Sequence, residues 1–182
     1  MINRRNTKTL YDLVQNAGKE YGDKVFLRYE RHEEMCTKTY KEFADACNSL
    51  STWIDEKNAE AGHKVNVALL GRSSFEYLVA MLGSASAGSI TIPLDVQLTE
   101  ANLVDNLNRS DTEILFYDWE FHLDIDVVKE QCPQIKEFIC IQNIKHIPSV
   151  KKLLKQYEGV EYVSKAKAKD CALIIFTSVK SY

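Results

Sequence analysis

The chain has 182 residues, of which 45% are hydrophobic and 27% are charged, and its formal net charge is −3 at pH 7. This length suits one domain with a substantial core. Because no basic stripe is present to neutralise a phosphate backbone, the composition argues against nucleic acid as a partner.

The remaining composition argues against membrane, secretory and metal-binding classes. No stretch approaches the ~18 apolar residues that span a bilayer, and no apolar region follows the basic start of the chain. The five cysteines form no C-x-x-C pair and the four histidines stand alone, so a zinc site is not expected. We therefore expect a cytoplasmic protein with reduced, mostly buried thiols and no metal.

The first part of the chain predicts two helices separated by a hairpin. Apolar residues recur at helical spacing from Leu10 to Tyr21, and Gly22 follows as a stop signal. Two strand-like runs then enclose a polar turn, which predicts a β-hairpin. Thr39 and Glu42 form a T-x-x-E capping box, in which each side chain bonds a free backbone N–H at the start of the second helix. The two runs are Val25 to Glu30 and Thr37 to Tyr40, and the second helix extends to about Lys57.

From residue 64 onward, predicted strands alternate with predicted helices. The strands are Lys64–Leu70, Ser89–Asp95, Glu113–Asp118, Glu137–Ile141 and Cys171–Phe176. The helices begin at a second capping box, Ser73 to Glu76, at Thr99, at Glu120 and at Pro148. This alternation predicts an α/β fold with a mostly parallel sheet and helices on both faces. The polar stretch from Asn143 to Lys169 is interpreted as a surface excursion before the last strand.

Common phosphate-binding and nucleophile motifs are absent. The stretch Gly83–Gly88 has the glycine spacing of a Walker A loop but lacks the Lys-Ser/Thr pair that contacts phosphate and magnesium. We expect its small residues to allow close packing against the sheet. Neither G-x-G-x-x-G nor G-x-S-x-G occurs, so the dinucleotide fingerprint and the hydrolase nucleophile elbow are missing.

Three stretches taken in order resemble the adenylate-forming enzymes, the superfamily of acyl-CoA synthetases, luciferases and peptide-synthetase adenylation domains. "KTYKEFADACNSLSTWI" is similar to the opening T-Y-x-E-[LF] motif. "HKVNVALLGRSSFEYLVAMLGSASAGSITIPLDVQLT" resembles the second block, and "DCALIIFTS" resembles the start of the third. The lead-in "TLYDLVQNAGKEYGDKVFLRY" is similar to that of fatty-acyl-CoA ligases. The resemblance covers about residues 9 to 178.

The resemblance implies an ATP-dependent reaction in an intact parent enzyme. Such a parent would activate a carboxylic acid, with a fatty acid as the expected substrate, using ATP and Mg²⁺, and would pass the acyl group to coenzyme A. In the family, a Thr/Ser/Gly-rich loop after the third-block strand wraps the ATP phosphates. Only Thr177 and Ser178 match the start of that loop, and no glycine follows them. Lys180 is a less favoured substitute for the loop lysine.

We therefore expect residues 1–182 to form a partial, truncated N-terminal subdomain that neither adenylates a carboxylate nor binds ATP tightly. One alternative is a non-catalytic interaction or regulatory module of the same fold. An unpaired edge at "CALIIF" would let that module self-associate or bind another chain. A second alternative is an independent flavodoxin-like domain, because alternation alone does not fix function.

Overall fold

The computed structural model describes residues 6–31, 34–121 and 123–177. The helices are α1 (Leu10–Tyr21), α2 (Tyr40–Ala61), α3 (Phe75–Ser86), α4 (Glu100–Arg109), α5 (Ile125–Gln131) and α6 (Val150–Gln156). The strands are β1 (Val25–Arg31), β2 (Glu34–Thr39), β3 (Asn66–Leu70), β4 (Ile90–Leu94), β5 (Thr112–Tyr117) and β6 (Glu137–Cys140).

The predicted α/β architecture is confirmed. Strands β4, β3, β5 and β6 pair in that order, and every pair is parallel. The predicted hairpin β1–β2 is antiparallel and forms a sheet of its own. Within the described ranges, none of the helices has the length and apolar character that crossing a bilayer requires.

Alternate residues of the parallel sheet point into two separate cores, as the pleat of a strand requires. Val67 and Leu69 of β3 pack with helices α2, α3 and α6 on one face. Ala68 and Leu70 pack with α4 and α5 on the other face. Both faces of the sheet are therefore covered by helices, which is why β3 is apolar along nearly its whole length.

Helix starts follow the predicted capping chemistry at two of the three places where a cap was predicted. At Thr39 the capping box is complete, and Thr99 accepts a hydrogen bond from the backbone N of Asn102. The box predicted at Ser73 is wrong, because Ser74 is the N-cap and accepts from Tyr77 N. Thr9 forms a further complete capping box at the start of α1.

One helix begins later than predicted, and a stretch of small residues shows where close packing occurs. The helix expected from Glu120 begins at Ile125, since the Asp124 carboxylate accepts from two backbone N–H groups there and a 3₁₀ turn precedes it. Of the small residues between Gly83 and Gly88, Gly83 itself packs closely against α2, whereas Ala87 lies in the same core as Val67 and Leu69 of the sheet. A methyl group placed on Gly83 would lie 3.0 Å from Leu50 Cβ.

The last predicted strand, Cys171–Phe176, is reduced to a single parallel bridge between Thr91 and Leu173. Pro93 is the next residue of β4 whose backbone faces this segment, and a proline has no N–H to continue the ladder. The prediction failed because it considered the segment's own residues and not the strand beside which they would lie.

Candidate functional site

The carboxyl ends of the parallel strands form the edge at which α/β sheets usually bind ligands. Gly71 and Arg72 follow β3, and Asp95 follows β4. Asp118 follows β5, and Ile141 follows β6. These positions form the carboxyl edge, and their side chains decide what it can bind.

Asp118 is the buried carboxylate of this edge, with 3% of its surface exposed. Its Oδ1 accepts from Glu120 N at 2.9 Å and its Oδ2 from Arg72 N at 3.4 Å. Its own backbone N donates to Leu70 O at 2.8 Å. These bonds join the loops after β3 and β5, so the structure uses this carboxylate to hold backbone rather than leaving it free for a ligand.

Gln142 and Gly71 close the same edge from the β6 side. The Gln142 Oε1 accepts from Trp119 N at 2.9 Å. A methyl group placed on Gly71 would lie 2.5 Å from Ile141 Cδ1 and 3.1 Å from Asp118 Cβ, so only glycine permits this close approach of the loops. No motif in the sequence indicates the role of Gln142, whereas a carboxylate directly after the buried strand β5 could have pointed to Asp118.

Arg72, Glu120 and Phe121 form the exposed part of the edge. The guanidinium of Arg72 pairs with Glu120 at 2.9 Å and lies 5.6 Å from the centre of the Phe121 ring. Because the pair neutralises its own charge, it offers no net charge to an anion. Among the described residues, no group of three or more His, Cys, Asp or Glu side chains could hold a metal ion.

Cys140 lies at the end of β6 and is fully buried. Burial raises the pKa of its thiol, and its Sγ donates to Gln142 Oε1 at 3.6 Å. A protonated thiol is a poor nucleophile, so Cys140 does not provide covalent chemistry at this edge. All five cysteines are free, and three of them are buried, as expected.

Thr177, the first predicted site residue, is exposed at the end of the segment that runs parallel to β4. Because it lies four residues beyond Leu173 in a parallel segment, it is directed towards the carboxyl edge. Thr91 anchors the segment through a backbone bond to Ala172 O at 3.0 Å and a bond from Ile174 N at 3.0 Å. Ser178 and Lys180 lie outside the described residues.

A groove of about 1070 Å³ lies elsewhere, between the hairpin, the start of α2 and α6. On one wall, Lys38 pairs with Glu42 at 2.9 Å and Lys41 pairs with Asp45 at 2.6 Å. The groove contains no part of the segment that ends at Thr177, and its wall of paired charges has no catalytic arrangement. The carboxyl edge is therefore the candidate site.

Comparison with known protein families gives one match over nearly the whole chain. A family model described as "AMP-binding enzyme" matches residues 14–178. A medium/long-chain-fatty-acid–CoA/3-oxocholest-4-en-26-oate–CoA ligase of Mycobacterium marinum is 26% identical over 126 residues, which are 69% of this chain and 22% of that protein. The long-chain-fatty-acid–CoA ligase ACSBG2 of Xenopus laevis is 26% identical over 191 residues, covering 93% of this chain and 24% of that protein.

Solved structures share the fold at low sequence identity. The Mycobacterium tuberculosis fatty acyl CoA synthetase has a TM-score of 0.77 at 18% identity and covers 95% of this chain and 33% of its own. The anthranilate CoA ligase AuaEII in complex with anthranoyl-AMP has a TM-score of 0.74 at 15% identity, with 91% of this chain and 30% of its own covered. The chain thus spans about a quarter of the two matching fatty-acid ligases and about a third of these structures.

Proposed function

Because the chain belongs to the AMP-binding enzyme family, we propose that it supplies the first α/β part of an ATP-dependent acyl-CoA ligase. The intact ligase would join a carboxylic acid, of the fatty-acid class, to AMP and then to coenzyme A. The observation that carries this proposal is the family match over residues 14–178, and the fatty-acid ligases among the relatives favour that substrate class. Family membership also decides against an independent flavodoxin-like domain.

The described residues fit only the beginning of a nucleotide site. The exposed hydroxyl of Thr177 at the carboxyl edge can donate a hydrogen bond to a phosphate oxygen. Asp118 is engaged by backbone N–H groups, and the described part of the chain offers no acidic cluster for Mg²⁺. We therefore propose that the 182 residues alone do not adenylate a carboxylate or bind ATP tightly. Their cytoplasmic location stays a prediction from the free thiols.

Pyrophosphate exchange tests both parts of this proposal. The purified chain with ATP, Mg²⁺ and a panel of fatty acids should incorporate no labelled pyrophosphate into ATP. A hybrid in which residues 9–177 replace the matching part of the Xenopus laevis ligase should regain exchange with fatty acids. In that hybrid, Thr177→Ala should lower the exchange rate by about 10- to 100-fold, since one donor to developing charge is lost.

The outcomes separate the two claims. Exchange by the isolated chain would show that the 182 residues are catalytic by themselves. A hybrid that melts cooperatively but exchanges nothing with any fatty acid would contradict the proposed scaffold role.

A second candidate function is a non-catalytic interaction module that self-associates through the segment after Asp170. Leu173 and Ile175 are 43% and 64% exposed on one side of this segment, and no described backbone group pairs with its outer edge. Such an edge can accept another strand. If this function holds, the chain should sediment as a discrete dimer that Ile175→Lys dissociates. Val163→Lys is the matched control, because Val163 is 79% exposed elsewhere. A monomer at every concentration would exclude it.

A further inference from the structure

The segment Cys171–Thr177 is attached to the sheet over a short length and then leaves it. At its start, Thr91 N donates to Ala172 O at 3.0 Å and Ile174 N donates to Thr91 O at 3.0 Å. The Thr91 hydroxyl adds a third bond, to Ala172 O at 2.9 Å. Thr91 is 1% exposed, so these three bonds are shielded from water on the side of β4.

Pro93 stands where the next pair of bonds would form. In a parallel ladder, alternate residues of a strand point their N–H and C=O groups to the same neighbour. Thr91 faces the segment, so the backbone of Pro93 faces it as well, while Ile92 faces β3. A regular ladder would continue with a bond from residue 93 N to Ile174 O and one from Phe176 N to residue 93 O. Proline cannot make the first, and the structure lacks the second.

Side-chain packing holds the segment to the core on one of its two sides and leaves the other side exposed. Ile174 and Phe176 pack against the core beneath α4, and Arg109 lies 5.5 Å from the centre of the Phe176 ring. Ile175, on the opposite side, is 64% exposed. The end of the segment is thus held by one face of side chains and by no described backbone bond to β4.

We propose that Thr91 and Pro93 together position the start of the phosphate-binding loop. Thr91 fixes the chain at Ala172 and Ile174, and Pro93 stops the pairing two residues later. Thr177 then leaves the sheet at its carboxyl edge, where its backbone and hydroxyl bond no other described residue and can turn towards an anion. This inference rests on the proposed function for the identity of the ligand, but the positioning itself belongs to the chain alone.

Amide hydrogen exchange of the 182-residue chain, read at single residues by NMR, tests the positioning without any nucleotide. In the unaltered chain, the Ile174 amide should exchange slowly and the Phe176 amide fast. Pro93→Val restores the N–H of residue 93, which can donate to Ile174 O. That bond would hold the segment beside β4, where Phe176 N can donate to residue 93 O, so the Phe176 amide should exchange at least about tenfold more slowly. A general change in stability would instead alter the β3 amides by the same factor.

A matched pair at Thr91 tests the anchor independently of Pro93. Thr91→Val keeps the shape and the backbone bonds but removes the hydroxyl, so the Ile174 amide should exchange several-fold faster. Thr91→Ser keeps the hydroxyl and should leave this rate nearly unchanged. Equal protection of Ile174 and Phe176 in the unaltered chain would overturn the inference. So would a folded Pro93→Val variant in which Phe176 still exchanges fast, or equal rates at Ile174 in the two Thr91 variants. Each of these results leaves the pyrophosphate-exchange test of the proposed function unaffected.

Discussion

Asn58 is a buried amide on α2 that joins the two loops leading into β3 and β4. Its Oδ1 accepts from Val65 N at 2.8 Å and from Ser89 Oγ at 3.1 Å, and its Nδ2 donates to Ala87 O at 3.5 Å. These loops lie at the amino end of the sheet, opposite the candidate site. One side chain therefore fixes where both strands begin.

Replacing this amide should be costly. Asn58→Ala leaves a buried backbone N–H without its partner, and we expect the free energy of unfolding to fall by about 2–3 kcal/mol. Asn102→Ala is the control: Asn102 is exposed on α4, so its loss should change stability by less than ~0.5 kcal/mol. Urea unfolding monitored by circular dichroism measures both. Equal losses in the two variants would contradict the role of Asn58.

His63 gives the molecule a dependence on pH near neutrality. Its Nε2 lies 2.9 Å from Glu113 Oε1 and its Nδ1 lies 3.1 Å from Ala61 O, so both ring nitrogens face acceptors. The hydrogen bond to Glu113 raises the pKa of His63 above its ordinary value. A raised pKa in the folded state stabilises the fold fully below the unfolded pKa, and this contribution is lost as the pH rises through the folded pKa.

Glu113→Gln should bring the pKa of His63 back towards its ordinary value, as NMR titration of the imidazole protons would show. The urea midpoint of the unaltered chain should fall between pH 6 and pH 8.5 by more than that of the variant. The effect should be small, because the imidazole is 58% exposed. An unchanged His63 titration in the variant would show that Glu113 is not the cause.

At the scale of elements, the start of α3 shows that the predicted N-cap and the observed N-cap are different residues. The S-x-x-E spacing selected Ser73, but the chain turns one residue later and Ser74 receives the Tyr77 N–H at 3.1 Å. Ser74→Ala should therefore cost about 1 kcal/mol of stability. Ser73→Ala should cost almost nothing, since Ser73 is exposed. Thermal unfolding of the two single variants decides between the caps, and a larger loss for Ser73→Ala would restore the original prediction.

The crossing of α1 and α2 depends on Gly18. A methyl group placed there would lie 2.7 Å from Ala44 Cβ, an atom that cannot rotate away. Gly18→Ala gains about 1 kcal/mol of helix propensity but forces the helices apart, so we expect a net loss of roughly 1–2 kcal/mol.

Moving the methyl group to the other helix provides the control for this crossing. The double variant Gly18→Ala with Ala44→Gly should recover the packing. The two substitutions should therefore show a favourable coupling of about 1 kcal/mol or more in a double-mutant cycle. Additive losses in the cycle would show that the two helices do not meet at this pair.

At the scale of the whole molecule, the elements and their alternation could be predicted from the sequence, because periodicity and turn residues are local. The parallel sheet with helices on both faces followed from that alternation. Local sequence patterns do not reveal the effect of Pro93. This residue lies inside a predicted strand, but its missing N–H limits the backbone pairing of Cys171–Phe176, about 80 residues away in the chain.

Of the candidate site, the sequence predicted only Thr177 among the described residues. That residue followed from a resemblance to family motifs, and its role stays a prediction. The use of Asp118 and Gln142 to close the carboxyl edge depends on loops from three strands that meet only in the folded chain. Residues that meet in this way have no fixed spacing in the sequence, so no motif predicts them.

The two cores on opposite faces of the sheet predict independent energetics. Ile114→Val on one face and Ile92→Val on the other should each cost about 0.5–1.5 kcal/mol. Because the sheet backbone lies between the two side chains, the double variant should equal the sum within ~0.5 kcal/mol. Guanidinium unfolding of the four chains measures this, and a coupling above ~1 kcal/mol would show that the cores share strain.

The same separation bears on how such a sequence changes over generations. A substitution on one face of β3 is felt by the helices on that face, so its compensation must arise there, while the other face keeps its own fit. The residues of each core can then change separately, through a series of sequences that all still fold. A sheet that acts as a partition in this way lets the residues of either core change while the backbone of the sheet stays the same.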